Sequence, residues 1–293
     1  MTYQIVRADP AKNITILVLD PVPAEGRRAL SRALLQDPAL EAEQAGFVIP
    51  PASPEGLWRL EMMGGEFCGN AARSFGLYIA GIRGIRGKAQ VSIAISGMET
   101  PVTVNLDTTS GWAEAVLPGP LWVSWNPGAG LPGVSLPLEH TGPQGSLEYQ
   151  GRELPVCVLD GIVHIIAAGV EPRKDVFFEL KTRAEEQGFR SEALGVMFLP
   201  VEPRPGSAAG EVSMFPAVYV YATDSLVFES SCGSGSIALG CWLSRDTPEG
   251  ERRYRIAQPG GIIETRIVKR GGEITRTAIG GTVLLQELSW EWG

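Results

Sequence analysis

The chain is poor in the residues that build metal sites. Its 293 residues include two histidines, His140 and His164, and four cysteines, none of them in a Cys-x-x-Cys arrangement. Structural zinc sites take four such ligands, usually at short spacings along the chain. The sequence therefore predicts no metal site.

Long apolar runs and a basic surface are missing as well. No segment approaches the roughly 20 apolar residues that a membrane-spanning helix requires. The first residues also lack the basic-then-apolar order of a secretory signal. We therefore expect a soluble, cytoplasmic protein with free thiols and no membrane partner. The net charge of −8 and a pI near 5.0 argue against nucleic-acid binding, which depends on clustered Lys and Arg.

The chain does contain two similar segments, each opened by a cysteine. One begins at Cys68 and the other at Cys232, and both continue through glycine and other small residues into an apolar stretch. This composition is typical of a buried helix, so we expect each thiol to lie at a helix start. The first turn of a helix has unpaired N–H groups and the positive end of the helix dipole. It can therefore stabilise a thiolate and a bound carboxylate.

Strand-like and helical runs follow the same order in both halves of the chain. A helix is predicted near 24–35 in the first half and near 174–187 in the second, and strand-like runs flank each of them. A stretch rich in Pro and Gly, from Pro118 to Gly133, separates the halves. We place the boundary near residue 120, which gives domains 1–120 and 121–280.

Paired thiols suit one kind of proton chemistry. Inverting an amino acid requires a base that removes the α-hydrogen from one face and an acid that returns a proton to the other. We predict Cys68 and Cys232 as this catalytic pair. The residues that follow them are predicted to bind the substrate carboxylate, because small residues let backbone donors approach a ligand closely. These residues are Gly69, Asn70, Gly233, Ser234 and Gly235.

Other roles for the cysteines stay open at this point. Each cysteine of the pair could be an inert neighbour of a helix cap, or the two could form a disulfide, which a cytoplasmic location disfavours. Cys157 and Cys241 lie within apolar runs and are expected to be small buried residues.

With these residues in view, the chain resembles the diaminopimelate epimerase-like superfamily. Within it, the chain is most similar to the histidine racemases of opine-type (staphylopine-like) metallophore biosynthesis. The segments that carry the resemblance span nearly the whole length: Asn13–Val18, Glu43–Phe47, Gly65–Ala71, Val163-His164, Glu229–Gly235 and Gln258–Gly261.

The resemblance implies an α/β (α+β) fold of two pseudo-symmetric domains. Each domain is expected to be a curved or barrel-like, mostly antiparallel sheet around a central helix, with the active site between the domains and no cofactor. The C-terminal strand, 281–293, is expected to join the first domain. Cys68 and Cys232 are implied as the acid–base pair, and Asn13 and Asn70 as substrate-positioning residues.

The chain departs from true diaminopimelate epimerases where those enzymes bind the far end of their substrate. Residues 221–228 contain no Arg, although the epimerases have a Glu-Arg pair there. Ile162-Val163 stands in place of an Asn-Pro pair, and the strand near Leu194–Phe198 lacks an Asn. Because a distal carboxylate would lose its bidentate partner, we expect a shorter substrate.

Three further side chains are candidates for the substrate pocket. A histidine substrate needs a carboxylate that pairs with or orients its imidazole, and Glu43 is the candidate. A surface or helix-capping carboxylate is the alternative for Glu43, and Glu229 has the same ambiguity. His164 is either a pocket residue or a buried core histidine.

The leading hypothesis is a cofactor-independent racemase that converts L-histidine to D-histidine for metallophore assembly. The alternatives are a diaminopimelate epimerase, another isomerase of the same fold acting on a small acid, and a noncatalytic amino-acid-binding protein. The expected partner is a small amino acid, and neither nucleic acid nor a membrane is expected. The sequence leaves a homodimer open.

Overall fold

The computed structural model describes residues 1–53, 56–124, 146–200 and 211–292. The chain divides into two compact units: Met1–Leu117 together with Ile279–Gly293, and Pro118–Ala278. The sequence prediction placed the first boundary near residue 120 and the return of the chain at 281. Residues 125–133 of the predicted linker and His140 lie outside the described residues.

The secondary structure is dominated by strands. In the first half of the chain the elements are β1 (Thr2–Asp9), β2 (Thr15–Val18), α1 (Ala24–Gln36), β3 (Gln44–Ile49), β4 (Arg59–Met62), α2 (Gly69–Ile82), β5 (Lys88–Ile95), β6 (Val102–Asp107), β7 (Trp112–Pro118) and β8 (Trp122–Val123). In the second half they are β9 (Leu147–Tyr149), β10 (Arg152–Leu154), β11 (Val156–Leu159), β12 (Ile162–Ala168), α3 (Lys174–Glu186), β13 (Ala193–Leu199), β14 (Glu211–Ser213), β15 (Phe215–Val220), β16 (Ser225–Phe228), α4 (Gly233–Leu243), β17 (Gly250–Gln258), β18 (Gly261–Arg270), β19 (Glu273–Thr282) and β20 (Leu284–Glu291).

The first unit is built on a mostly antiparallel sheet. Its strand order is β7-β6-β5-β4-β3-β2-β1-β20. The β2–β3 and β4–β5 pairs are parallel, and the other pairs are antiparallel. Helix α1 joins the parallel strands β2 and β3, as a crossover between parallel neighbours requires. Helix α2 packs on β5 and β6, and ten of its fourteen residues are buried. It is therefore the central helix of this unit.

The second unit repeats this arrangement of pairs. Strands β11, β12, β13 and β15 pair in the order antiparallel, parallel, antiparallel, which is also the order of β1 to β4. Helix α4 then precedes the antiparallel pair β17–β18, as α2 precedes β5–β6. An edge strand adds antiparallel to the first strand of each set, β20 to β1 and β8 to β11. The predicted α+β class with two similar, mostly antiparallel halves is confirmed.

Within the described ranges, no helix is long and apolar enough to cross a membrane.

Candidate active site

Both predicted catalytic cysteines are N-cap residues of the central helices. Cys68 precedes α2 with φ −131° and ψ 115°, and its Sγ accepts a hydrogen bond from the Ala71 N–H at 3.4 Å. Cys232 precedes α4 with φ −121° and ψ 114°, and its Sγ accepts from the Gly235 N–H at 3.4 Å. The sulfur thus takes the place of the side-chain oxygen that usually caps a helix. Each thiol lies at the positive end of a helix dipole, as the sequence predicted.

In the first unit, a chain of amide side chains leads to Cys68. The Gln44 Nε2 group donates to Cys68 Sγ at 3.2 Å and to Asn13 Oδ1 at 2.9 Å. Asn13 Oδ1 also accepts from Asn70 Nδ2 at 3.1 Å, and Asn13 Nδ2 donates to Glu43 Oε2 at 2.6 Å. The structure therefore gathers three predicted residues, Asn13, Glu43 and Asn70, beside Cys68. Gln44 completes the set.

The surroundings of Cys68 act on its pKa in opposite directions. Burial of the sulfur raises the pKa of Cys68 above its usual value. The N–H of Ala71 and the side chain of Gln44 lower it, because hydrogen bonds donated to the thiolate favour the charged form. The negative charge of Glu66 raises it again. The net effect is a thiol that ionises above its usual pH but has donors in place for its thiolate.

In the second unit, the cap residue is held through its backbone. The Cys232 N–H donates to Gln258 Oε1 at 2.8 Å, and Gln258 Nε2 donates to Ser236 Oγ at 2.9 Å. The Ser236 hydroxyl in turn donates to the Cys232 carbonyl at 2.6 Å. This closed ring of hydrogen bonds is buried, so the position of Cys232 is fixed independently of its thiol.

A hydroxyl lies next to the Cys232 thiol and is hydrogen-bonded to an imidazole. Ser234 Oγ is 3.5 Å from Cys232 Sγ and 3.0 Å from His164 Nε2. His164 is fully buried on β12, and burial lowers the pKa of His164 to about 3. The imidazole is therefore neutral near pH 7. On the neighbouring strand, a Cβ at Gly195 would lie 2.3 Å from His164 Nδ1, so the glycine makes the room for the ring.

Burial and a neighbouring carboxylate both disfavour the thiolate of Cys232. Burial is the largest cause that raises the pKa of Cys232 well above its usual value, and the charge of Glu229 and its hydrogen bond with the thiol act in the same direction. Donation from Ser234 and Gly235 opposes them. Because a carboxylate accepts the S–H hydrogen bond, Glu229 favours the thiol form. Glu229 therefore lies against one thiol and Glu43 lies in the network of the other.

The predicted carboxylate-binding residues occupy the first turns of the two helices. Gly69 and Asn70 are the first two residues of α2, and Gly233, Ser234 and Gly235 are the first three of α4. The first N–H groups of a helix have no partner within the helix and can bind an anion. In α4 the Gly235 N–H already donates to Cys232 Sγ, so the N–H groups of Gly233 and Ser234 are the candidate donors there. Each unit thus combines a cap thiol with a set of backbone donors. In the described residues, no group of three or more His, Cys, Asp or Glu is placed to hold a metal ion.

The two thiols are expected to differ in reactivity. Cys68 is half-buried and receives a donor from Gln44, whereas Cys232 is 6% exposed and faces Glu229. Because the thiolate is the nucleophile and both pKa values are raised, alkylation should accelerate as the pH rises through the alkaline range. Iodoacetamide should label Cys68 faster than Cys232. The labelling of Cys68 should also begin at a lower pH. Mass spectrometry of the labelled peptides over time checks this.

Two other cysteines serve as internal controls in this experiment. Cys157 and Cys241 are fully buried and should stay unlabelled in the folded protein. Labelling of Cys232 ahead of Cys68 would contradict the assigned environments. Labelling of all four cysteines at one rate would indicate unfolding instead.

Comparisons with known proteins agree with the fold and identify related racemases. Residues 3–123 and 131–287 match the family described as histidine racemase CntK N-terminal domain. A histidine racemase of Fusobacterium nucleatum is 29% identical over 266 residues, covering 88% of this chain and 87% of the relative. A histidine racemase of Staphylococcus aureus is 22% identical over 278 residues, covering 90% of this chain and 89% of the relative.

A solved structure shares the fold at low sequence identity. A hydroxyproline epimerase from Agrobacterium vitis, crystallised with trans-4-hydroxy-L-proline, superposes with a TM-score of 0.57 at 9% identity. The superposition covers 98% of this chain and 91% of the epimerase. The family match covers most of the chain, and the curated relatives are racemases. The chain therefore belongs to the histidine racemase CntK N-terminal domain family and is an isomerase of the racemase class.

Proposed function

We propose that the protein racemises histidine without a cofactor, and that Cys68 and Cys232 exchange the roles of base and acid. The observation that carries this proposal is the shared cap geometry. Two cysteines, one in each repeat of the fold, have nearly the same φ and ψ and accept the same N–H bond at the same place in their helices. Inert cysteines have no physical reason to repeat this arrangement.

The helix starts supply what a carbanion intermediate needs. Removing the α-hydrogen of an amino acid places negative charge on Cα and its carboxylate. Backbone N–H groups and the positive end of a helix dipole stabilise such charge without reorganising during the reaction. Gly69 and Gly233, the first residues of the two helices, leave these donors unobstructed by a side chain. The carboxylate is therefore proposed to bind at a helix start, next to a cap thiol.

Different environments give the two thiols different starting states. One thiol must be ionised and the other protonated at the beginning of each turnover. Cys68 receives hydrogen bonds from Gln44 and Ala71, while Cys232 has the Glu229 carboxylate beside it. We therefore propose that the free enzyme holds Cys232 as the thiol and forms the Cys68 thiolate first as the pH rises.

The proposed substrate side chain is an imidazole. Its support is the family match and the relatives, which are histidine racemases. In this chain, Glu43 is exposed and is held by Asn13 at 2.6 Å, so its second oxygen is available to an imidazole N–H. The absence of Arg from residues 221–228 also favours a substrate without a distal carboxylate.

We further propose that the D-histidine is consumed by a condensing enzyme of opine-type metallophore assembly. The support is the resemblance to racemases of that biosynthesis. Deleting the gene in its native host should remove D-histidine from the secreted chelator, and chiral analysis after acid hydrolysis checks this. An unchanged chelator would restrict the proposal to racemisation.

The direct test is hydrogen exchange at Cα. The reduced protein is incubated with L-histidine in deuterated water without added cofactor, followed by chiral chromatography and mass spectrometry. We expect D-histidine that carries deuterium at Cα. Diaminopimelate, proline and other amino acids in parallel incubations establish the substrate. Exchange on diaminopimelate alone would favour the epimerase alternative, and binding of histidine without any exchange would favour a noncatalytic protein.

Glu43→Gln tests the contact with the imidazole. We expect KM for histidine to rise roughly tenfold with a smaller change in kcat, because a charge-assisted hydrogen bond to the substrate contributes about 1.5–3 kcal/mol. Glu41→Gln is the matched control, since Glu41 is also exposed but pairs with Arg7. Steady-state kinetics give KM and kcat for both variants. An equal rise of KM in the two variants would show that Glu43 does not contact the imidazole.

A further inference from the structure

A fully buried arginine lies within the helix that begins at Cys68. Arg73 is part of α2 and is 0% exposed, which places it among the largest fully buried side chains of the described residues. Arginine is almost never buried to this degree without specific partners, because removing a guanidinium from water is costly. The acid–base reaction assigned to the thiols does not use it.

Two hydrogen bonds of the Arg73 guanidinium are directed at a side-chain amide and a backbone carbonyl. Its Nε donates to Asn70 Oδ1 at 3.1 Å, and one terminal nitrogen donates to the Gly281 carbonyl at 2.9 Å. A guanidinium has only donors, so it selects the oxygen of an amide and never the nitrogen. Asn70 is itself 2% exposed. Arg73 therefore decides which way the buried Asn70 amide faces.

The orientation of this amide is transmitted towards Cys68. With its oxygen on Arg73, Asn70 directs Nδ2 to Asn13 Oδ1 at 3.1 Å. The same Asn13 oxygen accepts from Gln44, whose Nε2 also contacts Cys68 Sγ. If the Asn70 amide were reversed, two oxygens would face each other, and Asn13 would lose a donor. Asn13 would then hold Gln44 in a different place.

We propose that Arg73 is a positioning residue, which fixes the Asn70 amide and through it the Asn13 and Gln44 side chains at the Cys68 thiol. The inference rests on the proposed racemase function for its kinetic consequence, but its structural consequence can be measured on the free enzyme. A buried cation contributes little net stability compared with a well-packed apolar side chain. The guanidinium does provide hydrogen bonds in fixed directions, which an apolar residue would not.

Arg73→Lys removes this directionality and keeps the charge, because an ammonium group does not present the guanidinium's fixed planar set of donors. We expect kcat to fall roughly ten- to hundredfold, since small displacements of catalytic groups have effects of this size. We also expect the pH midpoint for iodoacetamide labelling of Cys68 to move upward. A Gln44 amide that no longer donates to the thiolate raises the thiol pKa.

Ser74→Ala is the matched structural control. Ser74 is also fully buried in α2, and its hydroxyl donates to the backbone carbonyl of Asn70 rather than to the side chain. This variant should lose stability but keep kcat within about twofold, because surrounding α-helix hydrogen bonds hold the backbone. A merely structural Arg73 would behave in the same way. Thermal melting of both variants establishes that they are compared in the folded state.

A double-mutant cycle with Asn70→Ala tests whether Arg73 acts on Cys68 through the Asn70 side chain. If Arg73 acts through Asn70, adding Arg73→Lys to Asn70→Ala should lower kcat by less than about twofold. Full additivity of the two effects would overturn the proposal. So would wild-type kcat in Asn70→Ala alone, a result that does not require any Arg73 variant to fold.

The positioning role of Arg73 and the racemase function can be tested separately. If wild-type protein does not racemise histidine but Arg73→Lys still shifts the labelling midpoint of Cys68, the substrate assignment fails and the positioning role stands. If wild-type protein racemises histidine but Arg73→Lys changes neither kcat nor the labelling profile, the positioning role fails and the racemase assignment stands.

Discussion

Replacing either Cys68 or Cys232 by serine is expected to reduce histidine racemisation by at least about 10³-fold in kcat. A serine hydroxyl retains the shape of the cap and accepts the same helix N–H, so α2 and α4 should still form. It cannot supply an accessible anion near neutral pH, and it is a much weaker acid than a thiol. The loss of activity therefore reports on proton transfer rather than on folding. The racemisation rate is measured by chiral chromatography of the histidine product.

The single variants should separate exchange from inversion. In a two-base mechanism, each thiol handles the α-hydrogen of one enantiomer. In Cys68→Ser, the intact Cys232 thiol should still remove the α-hydrogen of one enantiomer and deliver a deuteron from solvent to the same face. Cys232→Ser should do so for the other enantiomer. The double variant should do neither. Opposite enantiomeric preferences for the two single variants would also assign each thiol to its substrate.

Cys241→Ala and Cys157→Ala are the matched controls. Both residues are fully buried cysteines of the second unit, and neither is an N-cap residue. They should retain racemisation while losing some stability, because each leaves a small cavity. Exchange of the same enantiomer by both cap variants would falsify the two-base assignment and indicate that a single base serves both directions.

The sequence predicted the cap cysteines because their signal is local. A glycine-led apolar run after Cys68 or Cys232 is visible within about three helical turns, and the helix dipole follows from helix formation itself. The structure confirms both helices and places each cysteine at the predicted start. The strands that are apolar along their length, such as β11 and β12, were predicted for the same reason.

The grouping of Asn13 and Glu43 beside Cys68 depends on strand pairing. Strands β2 and β3 are parallel, with Thr15 opposite Gln44. Asn13 and Glu43 both lie just before these paired positions, so they meet at the same end of the sheet. The sequence indicated these two residues only through a family resemblance. Gln44, which makes the contact with the thiol, belongs to the same segment as Glu43, but the resemblance implies no role for it.

Long-range partners explain what the sequence did not reveal. Strand β1 mixes charged, polar and apolar residues without regular alternation, and it pairs with β20 from the far end of the chain. The buried Arg73 guanidinium donates to the Gly281 carbonyl, which is 208 residues away along the chain. Gln258 is likewise a partner of Cys232 that becomes apparent only in the folded chain. Local propensity contains no information on such contacts.

The central helices lie so close to their sheets that one methyl group should destabilise the fold. A Cβ at Gly76 in α2 would lie 2.7 Å from Val104 Cβ and Cγ1 and 2.8 Å from Cγ2 on β6. Gly240 has the equivalent place in α4, where a Cβ would lie 2.8 Å from Thr265 Oγ1 and 3.1 Å from Ile267 Cδ1 on β18. These glycines thus allow the close contact between helix and sheet in both units.

Gly76→Ala is expected to lower the free energy of unfolding by about 2 kcal/mol. Overpacking a tight core costs roughly 1–3 kcal/mol, and the upper part of that range applies because Val104 is fully buried and β-branched valine has little freedom at χ1. The gain in helix propensity from Gly to Ala, about 1 kcal/mol, offsets only part of this. The resulting fall in Tm is roughly 4–8 °C for a protein of this size.

A second glycine in the same helix provides the control. A Cβ at Gly81 would meet no atom within 4 Å, and Gly81 is also part of α2. Gly81→Ala should therefore raise the Tm, since it gains propensity without a clash. Gly240→Ala should fall between the two, because its Cβ would lie within 3 Å of one atom, Thr265 Oγ1, whereas a Cβ at Gly76 would lie within 3 Å of three Val104 atoms. The end of the Ile267 side chain, the next contact of Gly240, can move aside. Thermal unfolding of the three variants gives the order.

The contact between α2 and its sheet should also affect catalysis. Cys68 is the N-cap residue of α2, whereas Gln44 is the first residue of β3. A helix displaced from β6 therefore moves the cap thiol relative to the Gln44 amide that donates to it. Gly76→Ala should therefore reduce kcat in the fraction that remains folded, whereas Gly81→Ala should not. If Gly76→Ala melts as high as Gly81→Ala and keeps its kcat, the helix is not held against the sheet by this contact. The cap geometry would then have to be maintained by the hydrogen bonds around Cys68 alone.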